Sequence, residues 1–588
     1  MEEASKHSEL FTGEILDAAE TRPWLRSYAG VAETIDYPRV TLYERLAKTA
    51  RENADKVAWE FTVGGMTATY REFLAQVDAF ADGLAAAGFK EDDVMTISMP
   101  TSPQGIIPVY AVNKLGGVAS MIHPLSPPPQ IKMYLNMSRS TWALTLDAFY
   151  RQFDEVLHET PVKRLVISKL GDFLPRGFKL LFWLSKGRKI PKVPPDPRVV
   201  WFSELQRGSS AQAPKSGKGP DDTAIVLYSG GTTGTPKGIE LTNLNMIAEG
   251  MQVSAWGKLE DGQSILAILP IFHGFGLGVC VNAALMAGGK IFLIPTFTPE
   301  SVAKLINKKK PNVVVGVPTL FEALANNPGF QKADLSCLTA TFSGADTLPR
   351  ATKERFEAVV REGGGDVRLL EGYGLTEAVT AMMATPMDDY REGSIGVPFP
   401  DMLAKICKEG TQDELPCGEV GEICVSGPDV MKGYLGDPAA TRETLREHSD
   451  GRIWLHTGDL GKMDKDGWFY FSLRLKRMLK VSGVNVYPTH VEETLREHPE
   501  IQDACVIGVP DEKQVTRVKA FLILSDPSKA SPEMGEEIKA WSLGRLLKWE
   551  APREIEFRAE LPRTLVGKVA FNDLEKEELA RLEAAGKP

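Results

Sequence analysis

The sequence has few of the residues, and none of the spacings, that mark metal-binding or disulfide-stabilised proteins. Its six cysteines form no CxxC pair and its eight histidines form no HExxH motif, so no zinc site is indicated. Reduced thiols, buried or incidental, are the expected state of such cysteines. Residues 1–4 also lack the basic and apolar regions of a secretory signal. We therefore expect a cytoplasmic protein.

The sequence also lacks an excess of basic residues and an uninterrupted membrane-spanning run. A net charge of −10 excludes broad, charge-driven binding of nucleic acid. Residues 265–289 contain no Asp, Glu, Lys or Arg and are long enough to cross a bilayer, but Pro270, His273 and Asn282 interrupt them. We expect a buried strand, a loop and a buried helix here instead. With 588 residues, the chain has room for about two to four domains.

The most distinctive stretch is residues 228–238, which read Tyr-Ser-Gly-Gly-Thr-Thr-Gly-Thr-Pro-Lys-Gly. They follow an apolar run, 224–227, that predicts a buried strand, and they precede residues 240–251, which we expect to open a helix. Glycines let a backbone present successive N–H groups to an anion, and hydroxyls and lysine add donors and charge. A polyphosphate site is therefore predicted, with a flexible surface turn as the alternative. It is not a Walker A loop, because Lys237 is followed by glycine instead of Ser or Thr.

Helical periodicity and apolar runs alternate along much of the chain. Two helical faces are predicted, one from Leu42, Leu46 and Ala50 and one, ending near Gly88, from Phe73, Val77, Phe80, Leu84 and Ala87. Strands are predicted at 94–99, 313–317, 338–342 and 369–371. Such alternation predicts α/β layers with largely parallel sheets.

Two turns that follow predicted strands carry candidate ligand-binding residues. Residues 343–345 and 372–377 come directly after strands, and α/β proteins bind ligands beyond the carboxyl ends of their strands. From about residue 394, glycine turns between short Val and Ile runs predict a smaller antiparallel unit, and a compact tail follows Arg474.

Residues 165–195 mix aromatic and aliphatic side chains with lysine and arginine. An interfacial membrane segment requires this composition, which gives peripheral attachment to the inner face of the membrane as one interpretation. A helix packed on the core, with Lys and Arg reaching to solvent, is the other.

Taken together, the motifs resemble those of the adenylate-forming superfamily, which comprises acyl-CoA synthetases, adenylation domains of peptide synthetases and luciferases. The resemblance runs from about residue 40 to 575, and its motifs keep the family's order: 228–238, 269–274, 343–345, 371–377, 456–460 and 562–569. It implies an α/β fold with a large N-terminal domain, 1–475, of layered sheets and a distorted β-barrel-like subdomain. A small mobile α+β domain, 476–588, would follow a hinge near Lys476.

The resemblance implies a two-step reaction. A carboxylic acid reacts with ATP to give acyl-AMP and pyrophosphate, and the acyl group then passes to coenzyme A, with ATP, Mg²⁺ and coenzyme A as cofactors. The Gly-Gly loop is similar to that of bacterial medium- and long-chain fatty acyl-CoA synthetases. Three alternatives stay open: an acyl-AMP ligase that loads a carrier protein, a CoA ligase for an aryl or bile-type acid, and a silent acyl-nucleotide binder. Small molecules are the expected partners, and no oligomeric state is predicted.

The resemblance assigns most of the site to nucleotide binding. The phosphate-loop residues are Ser229, Gly230, Gly231, Thr232, Thr233, Gly234 and Lys237. Gly230 departs from the pattern, since the family often has Ser or Thr there. Ser343, Gly344 and Ala345 would line the adenine and acyl pockets, and Tyr373 would stack on adenine. The other residues assigned to nucleotide binding in this region are Glu371, Gly372 and Gly374. Asp459 and Arg474 would bind the ribose.

The remaining assignments concern catalysis and domain movement. Thr376 would contact the α-phosphate, and Glu377 would bind Mg²⁺, although a helix-terminal acid is the plain alternative. His273 would place the acyl carboxylate, with a buried core histidine as its alternative. The C-terminal assignments are Lys568, bridging carboxylate and α-phosphate, Lys476 at the hinge, and Gly483 beside the pantetheine tunnel. Phe571 stands where the family commonly has Arg, so no coenzyme A phosphate contact is assigned to it.

The membrane interpretation of 165–195 makes one direct prediction. The protein should sediment with anionic liposomes at low salt, and high salt should weaken this binding because exposed charges are screened. Neutral liposomes serve as the control. A protein that stays in the supernatant at low salt contradicts the interpretation.

Overall fold

The computed structural model describes residues 22–28, 30–175, 177–179, 184, 187–209, 212–229, 236–259, 262–474, 477, 479–481, 484–511, 515–563 and 569–584. The chain divides into two compact units. Unit 1 comprises residues 1–404, 425–456 and 466–468, and unit 2 comprises 405–424, 457–465 and 469–588. The expected hinge, Lys476, lies outside the described residues, so the predicted division at 475/476 stays a prediction.

The described α-helices are α1 Leu42–Glu52, α2 Tyr70–Ala86, α3 Pro103–Lys114, α4 Pro128–Met137, α5 Tyr150–Asp154, α6 Phe202–Leu205, α7 Asn243–Trp256, α8 Ala283–Ala287, α9 Pro299–Lys309, α10 Pro318–Ala325, α11 Pro328–Gln331, α12 Arg350–Glu362, α13 Pro438–Thr444, α14 Pro488–Arg496, α15 Pro532–Leu543 and α16 Phe571–Ala584. A π-helical segment, Phe275–Asn282, precedes α8.

The described strands are β1 Val57–Phe61, β2 Met66–Thr69, β3 Val94–Ile97, β4 Val118–Met121, β5 Trp142–Leu146, β6 Arg164–Ser168, β7 Val199–Trp201, β8 Thr223–Ser229, β9 Lys237–Thr242, β10 Ser264–Ala267, β11 Lys290–Leu293, β12 Val313–Gly316, β13 Ala340–Ser343, β14 Leu369–Tyr373, β15 Met383–Ala384, β16 Val397–Pro398, β17 Leu403–Cys407, β18 Gly421–Ser426, β19 Gly433–Tyr434, β20 Leu445–Glu447, β21 Ile453–Met463, β22 Phe469–Arg474, β23 Leu479–Val481, β24 Val484–Val486, β25 Ile501–Asp511, β26 Val515–Leu524 and β27 Glu554–Phe557.

Two large sheets dominate unit 1. One has nine strands in the order β16-β15-β14-β13-β12-β10-β11-β1-β2, and the other has eight in the order β19-β9-β8-β4-β3-β5-β6-β7. Most of their strand pairs are parallel, as for β12 with β13 and β3 with β4, whereas β8 with β9 and β14 with β15 are antiparallel. Strands β10 and β12 are buried at every residue, which explains their continuous apolar sequence. The predicted α/β layering is confirmed.

The predicted helical faces of unit 1 are confirmed. In α1, Leu42, Leu46 and Ala50 are all buried, and Thr41 closes the N-terminus with a capping box to Glu44. Helix α2 buries the predicted Phe and Val face, ends before Gly88 and starts with a second capping box at Thr69. Local periodicity and capping chemistry therefore suffice to place these two helices.

The helix expected over residues 240–251 starts later than predicted. Residues Lys237–Thr242 form β9, which pairs antiparallel with β8, and helix α7 begins only at Asn243 behind the cap of Thr242. Four of the six residues of β9 are buried without a period-two pattern, so the sequence carries no clear strand signal here. The glycine-rich loop therefore connects two antiparallel strands and does not lead into a helix N-terminus.

The apolar run 265–289 folds as the sequence predicts. It forms the end of β10, a turn, the π-helical segment and α8. In the portion of the chain that the structure describes, no helix has the length and apolar character needed to span a bilayer.

The basic and aromatic segment 165–195 has a buried first part and exposed residues further along the chain. Strand β6 lies in the core, and Phe173 and Leu174 are only 8% and 6% exposed, so these residues face protein and no membrane. Phe178 and Leu184 are 55% and 49% exposed. Residues 180–183, which carry the densest apolar run, lie outside the described residues. The membrane hypothesis therefore rests on residues 177–192 alone.

The region predicted to be barrel-like contains a sheet of order β17-β18-β21-β20, with β22 beside β21. β20 and β22 both run antiparallel to β21. Unit 2 also holds a long antiparallel hairpin of β25 and β26, with β27 parallel to β26, and helices α14, α15 and α16. The predicted small α+β C-terminal part is confirmed.

Unit 1 buries two carboxyl groups that no cation neutralises among the described residues. Glu249, on α7, and Asp429 are both fully buried. The Glu249 Oε1 atom accepts a long 3.4 Å bond from the Ala381 N–H, while its Oε2 and both Asp429 carboxyl oxygens accept none from other described residues. Burial raises the pKa of both groups, and the charge of Asp429 adds to the rise at Glu249.

These carboxyls predict that alkaline pH destabilises the fold. A raised pKa means that the folded state keeps protons that the unfolded chain releases. The free energy of unfolding then falls as pH rises from the unfolded pKa, about 4, towards the raised value, by up to about 1.4 kcal/mol per pH unit for each carboxyl. Glu249→Gln should therefore raise the midpoint of thermal unfolding at pH 8 and flatten its decline with pH. The exposed Glu52→Gln is the control, and equal pH profiles for both variants contradict the prediction.

Candidate adenylation site

The phosphate-loop prediction is anchored by the hairpin of β8 and β9. Ser229 ends β8, Lys237 begins β9, and the two residues are paired across the hairpin. Tyr228, one residue earlier, is held by a 2.8 Å hydrogen bond between its hydroxyl and that of Ser120. The two strands fix both ends of the loop, and residues 230–235 lie outside the described residues.

A short third strand brings a tyrosine to the start of β9. β19 pairs antiparallel with β9, which places Tyr434 opposite Ile239. The ammonium of Lys237 lies 4.2 Å from the centre of the Tyr434 ring, a cation–π distance. The Tyr434 hydroxyl donates a 2.9 Å hydrogen bond to Oε1 of Glu377. One tyrosine thus touches both the predicted phosphate-binding lysine and the predicted metal-binding glutamate.

Glu377 lies in a 3₁₀ turn, Thr376–Ala378, that follows β14. Its carbonyl accepts a 2.8 Å hydrogen bond from the Met431 N–H, so the turn is tied to the segment that carries Tyr434. The next residue but one, Val379, has φ 54°, a conformation that β-branched residues rarely adopt. Such strain persists only where the surroundings impose it.

Two glycines permit close packing around Val379 and Thr380. A Cβ on Gly274 would overlap the carbonyl oxygen of Val379 and the hydroxyl of Thr380, and a Cβ on Gly374 would overlap the carbonyl oxygen of Thr380. The residues around the Thr376–Glu377 turn therefore lie against both the 269–274 motif and the end of β14. Only glycine allows this approach.

The expected nucleotide pocket lies at the carboxyl ends of β13 and β14. Ser343 is paired with Glu371 across these strands, and its buried hydroxyl has no hydrogen-bond partner among the described residues. Gly344 lies against Phe275 and Gly372, since its Cβ would be 3.1 and 3.2 Å from them. An orphaned buried hydroxyl at a strand end is suited to a polar ligand.

The other pocket residues share this edge. Ala345 adopts φ 71°, a left-handed conformation. Gly372 and Tyr373 pair with Ala384 and Met383 of β15, so this strand fixes the backbone of Tyr373 on one side.

His273 precedes the π-helical segment. Its Nδ1 accepts a 3.1 Å hydrogen bond from the Phe275 N–H, which leaves Nε2 as the donor in the neutral ring. The side chain is half-buried, and the neighbouring Gly274 packs on Val379 and Thr380. The pocket role of His273 stays a prediction.

Unit 2 carries the two residues expected to bind ribose. Asp459 on β21 is paired with Arg474 on β22, and Asp459 is buried. The preceding Gly458 has φ 70° and donates its N–H to Glu422 Oε1 at 3.0 Å. The sequence therefore predicted two residues that the backbone places face to face.

Several predicted residues lie outside the described residues, namely Gly230, Gly231, Thr232, Thr233, Gly234, Lys476, Gly483 and Lys568. Their assignments stay predictions. Conversely, Tyr434 was missed by the sequence analysis. No local signal marks it, because its partners lie 57 and 197 positions away along the chain.

Comparison with known proteins decides the family. A profile described as AMP-binding enzyme matches residues 46–435, and one described as AMP-binding enzyme C-terminal domain matches residues 490–568. The chain belongs to the AMP-binding enzyme family. It is an acid–thiol ligase.

Relatives of this AMP-binding enzyme are named for two classes of acid, long-chain fatty acids and an aryl acid. A long-chain-fatty-acid–CoA ligase from Bacillus subtilis is 34% identical over 564 residues, covering 95% of this chain and 98% of the relative. A feruloyl-CoA synthase from Amycolatopsis is 31% identical over 516 residues, covering 87% of this chain and 94% of the relative. The crystal structure of ATP-bound MatB from Rhodopseudomonas palustris has a TM-score of 0.80 at 24% identity, covering 92% of this chain and 99% of MatB. This last likeness concerns the fold.

The packing at Gly374 makes a prediction for the enzyme. Gly374→Ala should displace the Thr376–Glu377 turn and lower kcat/KM for ATP by about 100-fold, since a misplacement of about 1 Å can cost that much. The measurement is acid-dependent exchange of labelled pyrophosphate into ATP. Gly219→Ala, whose new Cβ meets open space, should behave as wild type. Unchanged exchange in a folded Gly374→Ala protein contradicts the site.

Proposed function

We propose that this enzyme activates a medium- or long-chain fatty acid to its acyl-AMP and transfers the acyl group to coenzyme A. The observation that carries the adenylation site is the meeting of Lys237 and Glu377 at Tyr434. In this arrangement a cation from the phosphate hairpin and a carboxylate from the β14 turn lie on two sides of one side chain, and a nucleotide polyphosphate with its divalent cation requires both charges.

The residues at this site fit Mg²⁺. Glu377 offers a half-buried carboxylate whose Oε1 is held by Tyr434, and its Oε2 accepts no hydrogen bond among the described residues. Mg²⁺ is bound by one or two carboxylates together with substrate phosphates. When bound, the ion supplies positive charge that offsets the charge developing on the α-phosphate. Glu377 would hold it, with the Thr376 hydroxyl beside it on the α-phosphate.

The first step needs no general base from the protein. The acid is already ionised at pH 7, and one of its carboxylate oxygens attacks the α-phosphorus of ATP, so that pyrophosphate leaves. Lys237 and the hydroxyls of the 229–235 loop hold the leaving phosphates. Lys568 would bridge the carboxylate and the α-phosphate, which places positive charge where negative charge accumulates.

The second step breaks the new acyl–oxygen bond. The thiol of coenzyme A loses its proton and attacks the acyl carbonyl, the C–O bond to AMP breaks, and AMP leaves. Lys568 has no role at this stage, and rotation near Lys476 would withdraw it and open the tunnel past Gly483. A domain movement of this kind limits turnover in many enzymes.

The choice of a fatty acid is supported by the Bacillus relative. Glycines near the ends of β12, β13 and β14 do not add to this support. The Cβ directions of Gly316, Gly344 and Gly374 are filled by Leu320, Phe275 and Thr380, so these glycines serve close packing and open no space there. An aryl acid is the second candidate, because the feruloyl-CoA synthase is nearly as similar.

The acyl acceptor is proposed to be coenzyme A and not a carrier protein. The match to the C-terminal family profile and to CoA ligases over nearly the whole chain supports this acceptor. Thioester formation with free coenzyme A tests it directly, and acyl-AMP accumulating unchanged beside coenzyme A would refute it.

A panel of acids distinguishes the substrate classes. Pyrophosphate exchange should be faster with dodecanoate or hexadecanoate than with benzoate, cinnamate or ferulate. Acetate serves as the control for size. A higher kcat/KM for the aromatic acids replaces the fatty-acid proposal by its aryl alternative and leaves the adenylation site standing.

A variant at Lys568 allows the two steps to be tested separately, because this lysine is proposed to act only in the first. Lys568→Ala should lower acyl-AMP formation by at least about 100-fold, because it removes charge that stabilises the transition state. The same variant should convert supplied acyl-AMP and coenzyme A to acyl-CoA at the wild-type rate. Lys576→Ala, an exposed lysine on α16, is the matched control. Wild-type ATP-dependent activity in Lys568→Ala contradicts the mechanism.

A further inference from the structure

Tyr434 is fixed in place by burial, by strand pairing and by two backbone hydrogen bonds. Its side chain is only 7% exposed. Its backbone N–H donates a 2.9 Å hydrogen bond to the Thr441 hydroxyl, and the next residue, Leu435, donates its N–H to the Gly238 carbonyl at 2.8 Å. Strand pairing with β9 and these two bonds leave the ring few alternatives.

Tyr434 contacts Glu377 through its hydroxyl and Lys237 through its ring. The hydroxyl donates to Glu377 Oε1 at 2.9 Å, and the ring face receives the ammonium of Lys237 at 4.2 Å. A hydroxyl can be removed without the ring, so the two contacts can be tested one at a time.

The hydroxyl is the donor in this contact, because a carboxylate oxygen at 2.9 Å can only accept. A protonated hydroxyl on Oε1 fixes the plane of the Glu377 carboxylate. Hydrogen bonds of this kind orient metal-binding side chains and commonly change metal affinity or activity by about 10- to 100-fold.

We propose that Tyr434 is a positioning residue for adenylation, whose hydroxyl orients the Glu377 carboxylate towards the nucleotide-bound cation and whose ring sets the place of the Lys237 ammonium. This inference rests on the proposed function, since it takes Glu377 as the metal ligand. It adds a residue to which neither the motifs nor the relatives assign a role.

The test is the effect of Mg²⁺ on ATP binding, measured by calorimetry without any acid, once in EDTA and once in excess Mg²⁺. The ratio of the two dissociation constants is the metal enhancement. Tyr434→Phe should lower this enhancement by about 10-fold while ATP binding in EDTA stays as in wild type. Tyr434→Leu should also weaken binding in EDTA, because Lys237 loses its ring. Wild-type binding in EDTA shows that Tyr434→Phe is folded.

Tyr43→Phe is the matched control. Tyr43 also donates its hydroxyl to a carboxylate, that of Asp78 at 2.6 Å, and also lies beneath a lysine, Lys114 at 5.3 Å, but it lies on α1 outside the site. This variant should keep the full metal enhancement.

The outcomes separate the inference from the function on which it rests. If Glu377→Gln loses the metal enhancement and Tyr434→Phe keeps it, the positioning role is wrong and the metal site stands. If Glu377→Gln itself keeps the enhancement, the metal role of Glu377 and the inference fail together. Loss in both variants, with Tyr43→Phe unchanged, supports the proposal.

Discussion

The site depends on the pairing of β9 with strands on both sides. β8 comes immediately before β9 in the chain, whereas β19 arrives from almost 200 positions further on. Through this pairing, Tyr434 contacts both Lys237, at the end of the Gly-Thr loop, and Glu377. A backbone ladder has fixed spacing, so the strand pairing sets the position of the Tyr434 backbone against β9.

Close packing of glycines completes this arrangement. Gly274 and Gly374 let the backbone at 379–380 approach both the 269–274 motif and β14, and within this packing Val379 has a positive φ. The conformation of Val379 costs on the order of 1–3 kcal/mol, which the surrounding fold must offset. Strain at the residue that follows the Thr376–Ala378 turn agrees with a role of this turn in positioning.

The sequence predicted those parts of the molecule whose causes are local. Helices α1 and α2 follow from periodicity and capping residues, and the strands ending at Gly316, Ser343 and Tyr373 follow from apolar runs. β9 was taken for the start of a helix, because its polar residues give no clear period over six positions. Phe173 and Leu174 were grouped with exposed neighbours, because composition does not reveal which side of a segment the core covers.

In the candidate site, too, the sequence predicted the residues that belong to local motifs and missed those whose partners are distant in the chain. The motif residues were found because each motif is contiguous, and the resemblance supplied their roles. Tyr434 and the Glu249–Asp429 pair escaped, since their significance comes from partners distant in the chain. A buried carboxyl looks like any other acid in a sequence, and only the fold shows that no cation of the described ranges neutralises it.

The central claim is that the carboxylate of the acid attacks the α-phosphorus of ATP. Dodecanoate labelled with ¹⁸O in both carboxylate oxygens tests it directly when the wild-type enzyme converts it, with ATP and coenzyme A, to products analysed by mass spectrometry. One ¹⁸O should appear in AMP and none in pyrophosphate, because the attacking oxygen stays on phosphorus when the thiol takes the acyl group. Unlabelled AMP, or ADP and labelled phosphate in place of AMP, would contradict the account.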